Sequence, residues 1–303
     1  MKAWWLAARP KTLTGAMIPV LLAGALLVHE GAMRHTGLWV CCLMFACLMQ
    51  IAANLINDLF DFLKGSDRED RLGPERACAQ GWITPRAMRW GIAVTLSLAS
   101  LVGLCAVGVS YSFLPYRGLE YILLGALCIV FAFLYTTRLS YLGWGDALVL
   151  VFFGFVPVCG TYYLQTLSLS LHSVLACLIS GIAIDALLMI NNYRDRNQDR
   201  ISGKRTVVVR YGEAFGLYAY LFIGIAVSVL SLILVLILLR DAQAIRLSAL
   251  SIVLLAVYPA LHWQTWKKMG RIRQGRALNA ILGETSRNMF LMALCLCLII
   301  VLL

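Results

Sequence analysis

Charge is what this chain has least of. Only 14% of its 303 residues are Asp, Glu, Lys or Arg, against about 25% in soluble domains, and 61% are hydrophobic, with a mean hydropathy of +0.82. That balance excludes a soluble globular domain and predicts an all-α membrane protein of many helices. Histidine is scarce and scattered, four residues in all, which excludes a His-based metal site. Ten cysteines are present, but none in C-x-x-C or Cys/His spacing, so they read as small packing residues within apolar runs. The net charge of +11 does not point to nucleic acid, because the basic residues cluster between apolar runs; the expected partner is membrane lipid.

What is there is a series of apolar runs. Nine spans are expected, at about 13–28, 38–58, 91–110, 119–136, 146–164, 171–191, 215–239, 247–263 and 288–303. At about 1.5 Å per residue each can cross roughly 30 Å of hydrocarbon. The first is followed by His29 and Glu30 without a small-residue cleavage site, so it is expected to remain as a span. No soluble domain fits between the runs, and residues 1–303 read as one membrane domain. With the N-terminus and the connections after spans 2, 4, 6 and 8 on one side, that side holds 22 Lys/Arg and the other only four: Arg34, Arg117, Arg240 and Arg246. The positive-inside bias then predicts a cytoplasmic N-terminus and an outer C-terminus.

Two stretches carry the chemistry. In Asp185–Arg210, Asn191, Asp195 and Asp199 recur at i, i+4 and i+8, which stacks them on one face of a continuous helix. Lys204 and Arg205 follow directly. A ladder of hard oxygen ligands beside basic residues suits a divalent cation together with a phosphate group. In Asn54–Asp70, Asn54, Asp58 and Asp61 fall near one helical face, and Asp67 follows a turn at Gly65. Of the 15 acidic residues, eight sit at the polar ends of these stretches: Asp58, Asp61, Asp67, Glu69, Asp70, Glu75, Asp195 and Asp199. Facing carboxylates repel unless cations bind between them, and their placement at the ends of two helices on one predicted side makes such binding the expectation. Asp146, after Gly143-Trp144-Gly145, is expected to be a helix N-cap. Asp185, deeper in span 6, is an intramembrane carboxyl and a functional candidate.

These residues carry a resemblance. Asn57-Asp58-x-x-Asp61 with Asp67, and Asp195-x-x-x-Asp199-x-x-x-Gly203-Lys204, resemble the two aspartate-rich motifs of the UbiA superfamily of intramembrane prenyltransferases. Its 1,4-dihydroxy-2-naphthoate polyprenyltransferase branch is resembled further at Ala8-Arg9-Pro10-Lys11-Thr12, Asp70-Arg71-x-Gly73-Pro74, Asn191-Asn192-x-Arg194-Asp195, Asn279 and Thr285-x-Arg287. The likeness runs from about residue 4 to about residue 290.

The resemblance implies nine membrane helices around a central cavity in an inner membrane, with the active site opening to the cytoplasm. It implies Mg²⁺ ions held by Asn57, Asp61, Asp195 and Asp199. The wide interval between Asp61 and Asp67 leaves either Asp58 or Asp67 as a further ligand. Transfer of a prenyl group from polyprenyl diphosphate to 1,4-dihydroxy-2-naphthoate, with loss of CO₂ and diphosphate, follows. Asp61, Asp195, Asp199 and Lys204 would be catalytic, and Lys11, Arg138, Asn191, Asn192 and Arg205 would bind substrate. Tyr135, Tyr162 and Tyr163 are candidate π faces for an allylic cation. Arg9, Lys11 and Arg138 are alternatives for holding the acceptor's carboxylate. The competing readings are another acceptor, such as 4-hydroxybenzoate, and, outside enzymes, a cation-coupled transporter.

Overall fold

The computed structural model describes residues 2–65, 71–242 and 248–303, so Asp67, Glu69 and Asp70 lie outside the described residues. The regular structure among these residues is helical throughout. A short helix α1 (Lys2–Ala8) stops at Arg9, because Pro10 restricts the residue before it and opens α2 (Pro10–His29) in its first turn. Then come α3 (Thr36–Leu63), α4 (Pro85–Ser110), α5 (Leu119–Leu142) and α6 (Gly145–Thr166). The series closes with α7 (Leu171–Ile201), a single turn α8 (Val207–Tyr211), α9 (Glu213–Asp241), α10 (Ala249–Ile272) and α11 (Leu278–Leu302).

Nine long helices thus answer the nine expected spans, and eight of them are apolar and long enough to cross a membrane. The exception is α10. Its apolar stretch ends near Trp263, and its second half carries Lys267, Lys268 and Arg271, so the helix outruns the expected span of 247–263 as a polar extension. The two motif helices also outrun their spans. At about 1.5 Å per residue the 31 residues of α7 reach about 46 Å, well beyond a hydrocarbon layer of about 30 Å.

Two of the buried clusters frame the cavity. One joins α2, α6, α7, α9, α10 and α11 around Ile18, Leu22, Leu26, Ile179, Leu234 and Leu296. The other joins α1, α3 and α4 with the 77–83 connection around Ile56, Met88 and Cys78. α5 packs on α3 and α4, and the cavity lies between that group and α2, α6 and α7.

Two π-helical turns shape its walls. In α6 the turn Val151–Phe155 precedes Pro157, which lacks the N–H that would bond the Phe153 carbonyl. Ser180 Oγ donates to that carbonyl instead, at 2.6 Å. Beside it Gly154 lies so close to α7 that a Cβ would stand 2.5 Å from the Cys177 carbonyl oxygen, a contact only glycine allows. In α5 the turn Tyr135–Leu139 leaves the Thr136 and Thr137 carbonyls to accept Lys64 Nζ at 3.2 and 2.8 Å.

Candidate active site

The cavity measures about 780 Å³. Its deep walls are apolar, with Phe45, Leu104, Phe152 and Leu164 among them; its other end is polar, formed by Arg9, Lys11, Asn54, Asn57, Asn191 and Asn279. Asn54 and Asn57 of α3 and Asn191 of α7 bring both aspartate-rich stretches to this polar end, while Asp61, Asp195, Asp199 and Lys204 stand just outside the cavity wall; each stretch is an unbroken helix to its motif, as the i, i+4 spacing requires.

On α3 the acidic residues divide their work. Asp58 is buried, and its two oxygens accept the backbone N–H groups of Ala77 and Cys78, each at 2.9 Å. Its carboxylate therefore anchors the 76–83 turn, and of the two alternatives for the further ligand it is the one already bound to protein; Asp67 is outside the described residues. Asp61 accepts Arg76 Nη2 at 2.5 Å in a buried ion pair. Asn57 accepts the hydroxyl of Thr136 from the π-helical turn of α5. Asn54, one turn deeper, donates to the Ala8 carbonyl and to Thr12 Oγ1, both at 2.9 Å. It pins the break between α1 and α2.

On α7 Asp195 is gripped in two-pronged fashion by Arg194, at 2.7 and 2.6 Å. Asp199 is buried and faces Lys204 Nζ at 3.7 Å. Asn191 lines the cavity and returns its amide to the Leu187 carbonyl at 2.9 Å. Asn192 is buried outside the cavity wall. Lys204 is held near by the chain itself. Gly143 has φ +84°, and a Cβ there would stand 2.3 Å from the Arg205 carbonyl oxygen, so glycine lets the 204–206 segment dock, with Arg205 N donating to the Tyr141 carbonyl at 2.9 Å.

The two motifs meet. Lys64, just past α3, and Lys204, just past α7, stand over the same Tyr141 ring, 4.3 and 5.2 Å from its centroid. On the other flank Arg194 Nη1 donates to Asn279 Oδ1 and Asn279 Nδ2 donates to the Leu72 carbonyl, both at 2.8 Å. Asp195, Arg194, Asn279 and the 71–76 segment, which ends in the Arg76–Asp61 pair, thus form one continuous run. Arg76 and Arg194 join the site without being expected there: Arg194 adjoins Asp195 in the chain, whereas Arg76 lies 15 residues beyond its partner Asp61.

Other expected residues fall elsewhere. Arg138 and Arg205 have exposed side chains outside the cavity wall. Of the three tyrosines only Tyr135 lines the cavity. Tyr162 donates to Glu30 at the opposite end of the bundle, where His172 bridges Glu30 and Asp241 at 2.9 and 3.2 Å. Asp146 is not an N-cap: α6 opens at Gly145 with Trp144 in the cap position, and Asp146 Oδ1 is buried with no hydrogen-bond partner. Asp185 likewise keeps a buried Oδ1 without a partner and stands outside the cavity wall.

The donor set fits Mg²⁺. Among the described residues no three His, Cys, Asp or Glu side chains converge as an all-protein metal cage. Mg²⁺ does not ask for one, since it takes one or two carboxylates and completes its shell with water and substrate phosphates. Asp61, Asp195 and Asp199 each face a cationic side chain, Arg76, Arg194 and Lys204 respectively, whose charge a bound metal and diphosphate could exchange for their own.

Residues 16–279 match the UbiA prenyltransferase family. The 1,4-dihydroxy-2-naphthoate octaprenyltransferase of Haemophilus influenzae is 40% identical over 220 residues, covering 70% of each chain. The Escherichia coli protein of that name is 39% identical over 216 residues, 70% of this chain and 69% of its own. Among solved structures, a UbiA homolog from Archaeoglobus fulgidus bound to DMAPP and Mg²⁺ matches across 99% of both chains, with a TM-score of 0.62 at 12% identity, a likeness of fold. Matched over most of its length by family, by sequence and by fold, the chain belongs to the UbiA prenyltransferase family.

Proposed function

We propose that this protein transfers a polyprenyl group from polyprenyl diphosphate to 1,4-dihydroxy-2-naphthoate, releasing diphosphate and CO₂ and yielding a demethylmenaquinol. The observation that carries the reading is one cavity with apolar depth for a lipid tail and a polar mouth where two aspartate-bearing helices meet basic side chains. The names of the relatives from Haemophilus influenzae and Escherichia coli support the acceptor.

Asp61, Asp195 and Asp199, with Asn57 and Asn191, would hold Mg²⁺, in keeping with the ion bound in the Archaeoglobus fulgidus homolog. Bound there, the metal would neutralise the diphosphate and favour its departure. Lys204 and Lys64 stand at the same rim to take up charge on the leaving group. Arg76 and Arg194, now paired with carboxylates, are placed to turn to the phosphates. Tyr135 lines the wall where the allylic carbon must pass and offers its ring to developing positive charge. The apolar walls keep water from the cation.

The motif carboxylates gather at one end of the bundle, which does not suit the acidic path through the bilayer that a cation-coupled transporter needs. The Lys/Arg asymmetry orients this end to the cytoplasm of a bacterial inner membrane. The test is purified protein in lipid nanodiscs with octaprenyl diphosphate, Mg²⁺ and a panel of aromatic acids. Prenylated naphthoquinol and stoichiometric diphosphate are expected, and both vanish with a chelator. Product only from 4-hydroxybenzoate would overturn the acceptor assignment.

A further inference from the structure

We propose that Arg9 is the residue that receives the acceptor's carboxylate and so sets the preference for a carboxylated ring; this rests on the proposed acid acceptor. Three cations were open to that role, and their positions separate them. Arg138 is exposed and outside the cavity wall. Lys11 lines the wall, but its side chain is largely exposed. Arg9 lines the wall from a more enclosed position, and among the described residues its guanidinium makes no hydrogen bond or ion pair.

A half-buried guanidinium without a hydrogen-bond partner is costly, and the charges of Asp58 and Asp61 relieve it only in part. Burial first, then the neighbouring Arg76 and Arg71, push Arg9 down to about 9, which still leaves it charged at neutral pH. The carboxylates in reach, Asp58 and Asp61, are taken up by the Ala77 and Cys78 amides and by Arg76. An incoming anion is what the position lacks. The backbone is committed to presenting it. Arg9 has φ +51° and ψ +69°, a left-handed conformation that arginine adopts only under constraint. The constraint is visible: Asn54 holds the carbonyl before it and the Thr12 side chain after it, and Thr12 Oγ1 donates to the Arg9 carbonyl at 2.9 Å.

Position separates it from the lysines that would meet the diphosphate. The backbone of Arg9 lies at the level of Asn54, seven residues before Asp61 on α3, and its guanidinium reaches up from there toward Asp58 and Asp61. Lys64 and Lys204 stand beyond the ends of α3 and α7, over Tyr141. A ring anchored at Arg9 therefore approaches the rim from the cavity side. The planar guanidinium also matches a carboxylate with two parallel hydrogen bonds, which a lysine ammonium does not.

The test pairs removal of the side chain with removal of the ligand group. Wild type, Arg9→Gln, Arg9→Lys and Arg9→Gly are assayed with octaprenyl diphosphate and Mg²⁺ on 1,4-dihydroxy-2-naphthoate and on 1,4-naphthalenediol kept reduced, which lead to the same quinol. Arg9→Gly tolerates the left-handed backbone and controls for folding. Arg9→Gln and Arg9→Gly are expected to raise KM for the naphthoate at least about tenfold, the scale of a lost charge-assisted contact, with the KM for octaprenyl diphosphate within about twofold of wild type. On the diol all four proteins should agree within about threefold, and Arg9→Lys should recover part of the loss on the naphthoate. Equal losses on both acceptors, a raised KM for the diphosphate, or no change would each overturn the inference. If wild type accepts 4-hydroxybenzoate but no naphthalene, the acceptor assignment fails, and the same comparison on 4-hydroxybenzoate against phenol decides Arg9.

Discussion

The two aspartate-bearing helices look alike in sequence and differ in what their acids do. On α7 the ladder meets side chains: among the described residues Asp195 pairs with Arg194 and Asp199 with Lys204, which can move away. On α3 the ladder is partly spent on architecture. Asp58 holds two backbone amides of the 76–83 turn, Asn54 holds the α1–α2 break, and only Asp61, with Asn57 beside it, faces a role in chemistry. A motif read as one ligand set is thus one part ligand and one part scaffold. Hydrogen bonds to fixed backbone groups mark the scaffold, and pairs with long flexible cations mark the ligands.

Substitutions can break this distinction, and the largest effect is expected on α7. Asp195→Ala or Asp199→Ala should lower turnover by at least about 10²-fold, the scale of losing a preorganised charge stabiliser, while thermal unfolding in detergent changes little. A normal rate of diphosphate release from either variant would dissolve the contrast. Asp58→Ala should do the reverse in kind. It strands two buried amides at a cost of about 1–3 kcal/mol each, so lowered melting temperature and protease sensitivity near residues 76–83 should accompany any loss of activity. An unchanged melting curve would move Asp58 to the ligand set.

Asn279→Ala removes the bridge between Arg194 and the Leu72 carbonyl, and a fall in kcat of about tenfold is expected, in line with the loss of an outer-shell positioning contact. Its melting temperature should change less than that of Asp58→Ala. The smallest effect belongs to Lys64→Met. It frees the Thr136 and Thr137 carbonyls at an accessible rim, and about 1 kcal/mol of stability and a severalfold weaker diphosphate KM are expected. Titration with Mg²⁺ sharpens the same comparison: the α7 variants should need more metal for half-maximal rate, and Asp58→Asn should not.

Much of this was legible beforehand because a membrane demands long apolar runs, and helical spacing within them is rigid. The i, i+4 register put Asn191, Asp195 and Asp199 on one continuous helix, as the structure has them, and the apolar runs located the nine long helices among the described residues. The eighth misled in its length, since nothing in an apolar run tells where its helix stops once charged residues begin at Lys267. Contacts across the chain stayed hidden. The partners of Asp58 are backbone amides some twenty residues away, which have no side-chain signature. Asp146 lost its expected cap role because α6 starts at Gly145, ahead of it. Tyr162 sits one residue from Tyr163 and close to the wall residue Thr161, yet the course of α6 delivers it to Glu30.

The overhang of α7 makes the enzyme sensitive to its host lipid. Its last turns work as a mast whose tip, with Asn197 and Arg200 exposed, must stay wet, while its foot is fixed by Ser170 capping the helix at the far surface. A bilayer of longer acyl chains would climb that mast and draw Arg200 into oil, where a charge is poorly tolerated; a thinner one would leave it clear.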